Sequence, residues 1–142
     1  MADQLQQLVD RAEITDVMSR YCFAVDFRDF EALRTVFHAD ADATYVLSPL
    51  GLGLDDVKLS GVDAIIDWLS SVLGNLGEPA PRHALTNHLI EIDDDRAHSR
   101  SYLAGGNGLY TVEHVRTGVG WRAAQFEMRN FAPPPQPRPT AR

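Results

Sequence analysis

Cysteine is almost absent. Cys22 is the single thiol in 142 residues, so no internal disulfide can form, and the chain reads as a protein of a reducing cytoplasm. Long apolar runs are missing too. No stretch approaches the roughly 20 residues that a membrane helix needs, and the opening "MADQLQQLVDRAE" has no apolar segment behind a basic start, hence no secretory pattern. Positive charge is also scarce: 13 Lys and Arg stand against 20 Asp and Glu, a formal net charge of −7. An acidic surface repels phosphate backbones, so nucleic acid is not an expected partner, and with no apolar run long enough to span a bilayer neither is a membrane. No internal repeat is visible.

What remains is the composition of a soluble globular protein, 44% hydrophobic and 23% charged, in a length that suits one domain with a real core. Ile14, Val17, Met18, Tyr21 and Val25 recur at spacings of three and four and predict a helix with an apolar face. Asp10 and Glu13 are candidates for its N-terminal cap. "FEALRTVF" predicts a shorter helix burying Phe30, Leu33, Val36 and Phe37, and "HADADATYVL" a loop entering a strand. "SPLGLGLDD" is rich in turn formers, and "VKLS" reads as a short strand. "SGVDAIIDWLSSVLGNLG" predicts a further helix, with Ser60 and Asp63 as a capping pair and Gly74, Asn75 and Gly77 at its end. The pattern then turns to strands: "RHALTNHLIEI", "RAHSRSYLA", "LYTVEHVRT" and "GWRAAQFEMRNF" are separated by "DDD", "GGNG" and "TGVG". Helices first and an antiparallel meander afterwards make an α+β plan, helices on one face of a curved antiparallel sheet. The domain spans 1–131. Residues 132–142 hold five of the eight prolines and predict a flexible tail.

Three side chains stand out for chemistry. Asp26 ends the first helix beside an apolar stripe, where a carboxylate loses water and becomes a usable base. His88 interrupts an apolar strand. By alternation it shares a face with Thr86, Ile90 and Ile92 and points inward, as a proton-transfer group or as a core histidine bonded to a neighbour. Tyr45, on the strand after the second helix, offers a hydroxyl to a substrate carbonyl, or else fills the core. His83 stands five residues from His88 and so faces the other side of a regular strand. "HADAD", with His38, Asp40 and Asp42, lacks a second histidine and is read as a solvated loop, so no metal is expected. "GGNGLY" precedes a strand and is no dinucleotide fingerprint. Cys22 lies in an apolar stripe and reads as inert. No cofactor site is visible.

The segments "EITDVMSRYCFAVDFRDFEALRTVFHADADATY", "RHALTNHLIEIDDDRAHSRSYL" and "VRTGVGWRAAQFEM" resemble, jointly and in order, SnoaL-like proteins of the nuclear transport factor 2-like superfamily, within it the scytalone dehydratase-like branch. The resemblance spans about residues 5 to 131. It implies a cone-shaped α+β barrel with a deep apolar pocket between the first helix and the sheet. The branch's pocket aspartate falls on Asp26, its pocket tyrosine on Tyr45 and its first catalytic histidine on His88, with Tyr21, Val25, Trp68, Tyr102 and Asn107 as the expected substrate-binding residues. Val25 replaces a tyrosine of the branch, and its second histidine has no counterpart, Tyr102 or Asn107 standing near that place.

The implied activity is cofactor-independent acid–base chemistry, a dehydratase, isomerase or cyclase acting on a small apolar oxygenated ring such as a polyketide or terpenoid intermediate. Two readings stand beside it. One is a binding protein that keeps the pocket without the chemistry. The other is an epoxide hydrolase, with Arg100 as cation and Asp26 as one acid. Superfamily members commonly pair through the open sheet face, so a homodimer or higher oligomer is expected.

Overall fold

The computed structural model describes residues 2–77 and 82–135. Helix α1 (Ala2–Asp26) is followed by a 3-10 helix (Phe30–Thr35), strand β1 (Phe37–Val46), a 3-10 turn (Ser48–Leu50), strand β2 (Val57–Ser60) and helix α2 (Val62–Leu73). Four strands complete the fold: β3 (Leu85–Asp93), β4 (Arg96–Leu103), β5 (Gly108–Thr117) and β6 (Gly120–Asn130). They form one six-stranded sheet in the order β2-β1-β6-β5-β4-β3. Strands β3 to β6 are the expected antiparallel meander, but β1 joins β6 in parallel. The sheet is therefore mixed and open, a cone-shaped α+β architecture rather than a closed barrel. The proline-rich tail lies outside the described residues from 136 onward.

The helices are held by the stripe that periodicity picked out. Ile14, Val17, Met18, Tyr21 and Val25 are all buried, and α1 packs on β6 and β3 while α2 packs on β1. The opposite side of α1 is not purely polar, since Leu5, Leu8 and Phe23 are exposed. Asp10 is a mid-helix residue, not a cap. Its buried carboxylate accepts both arms of Arg116, at 2.7 and 2.8 Å, and the indole N–H of Trp121 at 3.0 Å. Arg116 holds its carboxyl well below the usual carboxylate range, and the same guanidinium lies over the Trp121 ring. A bidentate, stacked arginine of this kind pins the leading half of α1 to the far end of β5 and β6.

Two local expectations change. "HADADATY" is strand over nearly its whole length, because Phe37, Ala41, Ala43 and Tyr45 point to the core while Asp42 faces out. Ser60 does not cap α2. It ends β2 and donates to Asp42, leaving Gly61 to open the helix without a side-chain cap.

Register irregularities decide which side chains reach the core. In β3, Thr86 pairs with Tyr102 but Leu89 with Arg100, so β3 spends three steps where β4 spends two. The extra residue is accommodated at Asn87, whose φ is +59°, a left-handed conformation that asparagine tolerates better than most residues.

A buried histidine lies away from Asp26. His114 on β5 shares a 2.8 Å hydrogen bond between its Nε2 and the Ser99 hydroxyl, and its Nδ1 has no partner among the described residues. Burial, and then His98, pull its pKa down to about 4. An unfolded histidine titrates near 6.5, so the unfolded chain takes up this proton first. Stability should be flat in this respect above pH 6.5 and fall between 6.5 and 4, by about 3 kcal/mol at most. Denaturant unfolding across that range should show a smaller slope for His114→Gln than for the parent. Equal slopes would remove His114 as the cause.

Candidate active site

Asp26 is the last residue of α1, and its side chain is buried. A solvated helix-end acid would look different. Here the carboxylate is gripped by His83, which stands just before β3. The His83 backbone N–H donates to both carboxylate oxygens, at 3.1 and 2.9 Å, and ring Nδ1 lies 2.6 Å from Oδ1. An ionised carboxylate only accepts, so Nδ1 is the donor of this bond, and in the neutral ring that leaves the lone pair on Nε2. The ring side chain is 26% exposed.

The His83 ring meets the edge of Tyr21 at a centroid distance of 6.4 Å. Tyr21 continues inward. Its hydroxyl lies 3.0 Å from that of Tyr45, and its ring packs on Tyr110, Phe126 and Phe37. Both phenols are buried, and burial raises their pKa above the ordinary tyrosine value, so both stay neutral donors. Two hydroxyls carry two protons, and the bond between them uses one. The second proton is left for a third oxygen, and the Tyr110 hydroxyl, with which Tyr21 also interacts, is one such partner. Trp68 covers the other face of Tyr45 at 4.5 Å, and Val25 is buried beside Tyr21 in the same core.

The structure thus links Asp26, through His83, to Tyr21 and Tyr45, with Val25 and Trp68 packed in the same core. It does not bring in His88. His88 is exposed and far from inward. The bulge at Asn87 breaks the alternation that linked it to Ile90 and Ile92, so the histidine that meets Asp26 is His83, the one set aside for facing the wrong way. Asparagine inside an apolar strand was the available signal: it marks a bulge, and a bulge inverts the phase of everything before it. Tyr102 is corrected as well. It is 44% exposed on the outer sheet face, because Ser101 takes the inward position on β4. Asn107 is exposed, its amide turned back onto the Ala104 carbonyl within the turn. Arg100 is exposed on that same outer face, so it offers Asp26 no cation. Cys22 has its thiol pushed up to about 12, by burial first and by Asp26 second, which fits an inert residue.

Residues 6–127 match the profile of the SnoaL-like domain. The chain belongs to the SnoaL-like family. A relative of the chain is the uncharacterized protein Rv2910c of Mycobacterium tuberculosis, 35% identical over 133 residues that cover 82% of each chain. Among solved structures, a Novosphingobium aromaticivorans protein provisionally described as an aromatic ring hydroxylase is 31% identical, with a TM-score of 0.67 over 89% of this chain and 92% of that one. A provisional scytalone dehydratase from the same organism shares the SnoaL-like fold at a TM-score of 0.72, covering 97% and 100% of the two chains at 19% identity.

The geometry separates the two histidines by stability alone. His88→Ala should stay within about 0.5 kcal/mol of the parent, as exposed substitutions do. His83→Ala strips the buried carboxylate of its ring donor and should cost about 1–3 kcal/mol. Urea unfolding of both variants at pH 7 checks the contrast, and a larger loss for His88→Ala would contradict it.

Proposed function

We propose that this chain is a cofactor-independent acid–base enzyme of the dehydratase, isomerase or cyclase type, with His83 as its proton-transfer group. The observation that carries the reading is the 2.6 Å bond from His83 Nδ1 to the buried Asp26 carboxylate. It orients the ring, leaves Nε2 as the basic nitrogen, and stabilises the imidazolium that forms once a proton is taken. The tyrosine pair supports the same reading, since its spare O–H is a neutral donor suited to a carbonyl oxygen that gains charge.

In this mechanism His83 Nε2 removes a proton from carbon beside a substrate carbonyl. The electron pair moves to the carbonyl oxygen, where the Tyr21 and Tyr45 hydroxyls stabilise the enolate. The imidazolium then gives its proton to a departing hydroxyl, and water leaves as a double bond forms. Returning the proton to another carbon gives isomerisation instead, and attack of the enolate carbon on an internal carbonyl gives cyclisation. The substrate class is a small, largely apolar oxygenated ring, in keeping with an aromatic surround of Trp68, Phe126 and Tyr110. Membership of the SnoaL-like family and the shared fold of a provisional scytalone dehydratase support this class of chemistry.

A second reading is favoured by one observation. The inward positions of β4 are Ala97, Ser99 and Ser101, none of them an acid or base at neutral pH. With no acid or base from β4 to work beside His83, the site could serve ligand binding alone.

Deuterium uptake separates the two. Cyclic ketones bearing a β-hydroxyl, incubated with the protein in D2O, should exchange the proton beside the carbonyl or lose water, as read by NMR. His83→Ala should slow this by about 10²–10⁴-fold and His88→Ala should not. Tight binding of such a ketone with no exchange and no product at high protein concentration would favour the binding reading. An unchanged rate in His83→Ala would end the catalytic assignment.

A further inference from the structure

The grip on Asp26 does not come from the sheet. His83 lies two residues before β3 begins, and the closest sheet-like bond is from Ala104 N–H to the Ala84 carbonyl at 2.7 Å. What ties this segment to α1 is the dipeptide Arg82-His83. His83 holds the carboxylate of Asp26, while Arg82 Nη1 donates to the main-chain carbonyl of the same residue at 3.1 Å. The Arg82 guanidinium also lies over the ring of Phe27, 5.4 Å from its centroid.

That carbonyl is one of the unsatisfied acceptors at the negative end of α1, and the last turn of the helix holds no basic residue of its own. The positive charge is supplied from outside the helix, by Arg82 and by Arg28, whose Nη1 donates to the same carbonyl at 3.1 Å. The two arginines are not equivalent. Arg28 follows α1 and also donates to the Leu76 carbonyl, so it joins the helix end to the segment after α2. Arg82 is covalently next to His83, so fastening its side chain to the helix end restrains the backbone that carries the imidazole.

We propose that Arg82 is a positioning residue for the Asp26–His83 pair: by fastening residue 82 to the Asp26 carbonyl and the Phe27 ring, it sets the distance and angle at which the imidazole meets the carboxylate. The inference deepens the catalytic reading above and rests on it for its functional meaning, but its geometry is tested without any substrate. A planar guanidinium both donates along its edge and stacks by its face, which an ammonium cannot do.

The test is proton NMR of the full chain. The ring Nδ1–H held by a carboxylate gives a far-downfield resonance, assigned by its loss in His83→Asn, and the His83 amide gives a hydrogen-exchange rate. In Arg82→Met the downfield resonance should vanish or broaden into the baseline, and the His83 amide should exchange at least about tenfold faster, while amides at the centre of β5 and β6 keep their protection. Arg82→Lys should recover part of the protection, and Arg28→Met should retain the resonance. If Arg82→Met does not fold, Arg82→Lys decides alone: faster exchange of the His83 amide supports the proposal, and an unchanged rate overturns it. Unchanged signals in Arg82→Met overturn it, and so does an equal loss in Arg28→Met, which would assign the effect to charge at the helix end in general. A chain in which Arg82→Met loosens the pair while His83→Ala leaves proton exchange of substrate untouched would keep this inference and discard the catalytic one.

Discussion

A carboxylate and an imidazole 57 residues apart in the chain meet at 2.6 Å, and the organisation of the site depends on that contact. Asp26 is out of bulk water because α1 buries one face against the sheet. A carboxylate in that position needs donors, since leaving it unpaired costs far more than the bond returns. His83 supplies two kinds, a ring N–H and a backbone N–H, from a segment outside regular structure. The requirement of one buried acid therefore decides where residues 82 and 83, just before β3, must lie, and which ring nitrogen stays available for a proton.

The rest of the fold holds the two ends of α1 in different ways. At the leading end Asp10 is fastened to Arg116 and Trp121, a charged, stacked lock remote from the dyad. At the trailing end the fastening is itself the candidate site. Between them the helix is anchored by the packing of Ile14, Val17, Met18 and Tyr21, with Arg11 and Arg20 adding bonds to the Ile90 and Thr35 carbonyls. The tyrosine hydroxyls are buried deep enough to stay neutral, and the Tyr21 ring meets the imidazole edge on.

Much of this was legible in the residues. Spacing of three and four revealed the buried stripe of α1, the turn dipeptides separated β3 to β6, and Asp26 and Tyr45 stood out as polar groups on apolar faces. The parallel pairing of β1 with β6 was not legible, because register between distant strands leaves no local mark. The histidine was misjudged for a definite reason. Alternation is a period-two argument, and it holds only while the strand is regular. Asn87 takes a left-handed conformation and inserts one residue, and the inference carried from Ile90 back through His88 fails at that point. Tyr102 and Asn107 were placed by resemblance to a family pocket, and the parity of β4 and the turn geometry send them elsewhere.

The claim that His83 is the proton acceptor stands on its tautomer, and a long-range proton–nitrogen correlation spectrum of the imidazoles reads that directly. The account predicts that neutral His83 shows a protonated Nδ1 and a bare, pyridine-like Nε2. A His83 ring carrying its proton on Nε2, or one averaging between tautomers like a solvated histidine, would contradict it.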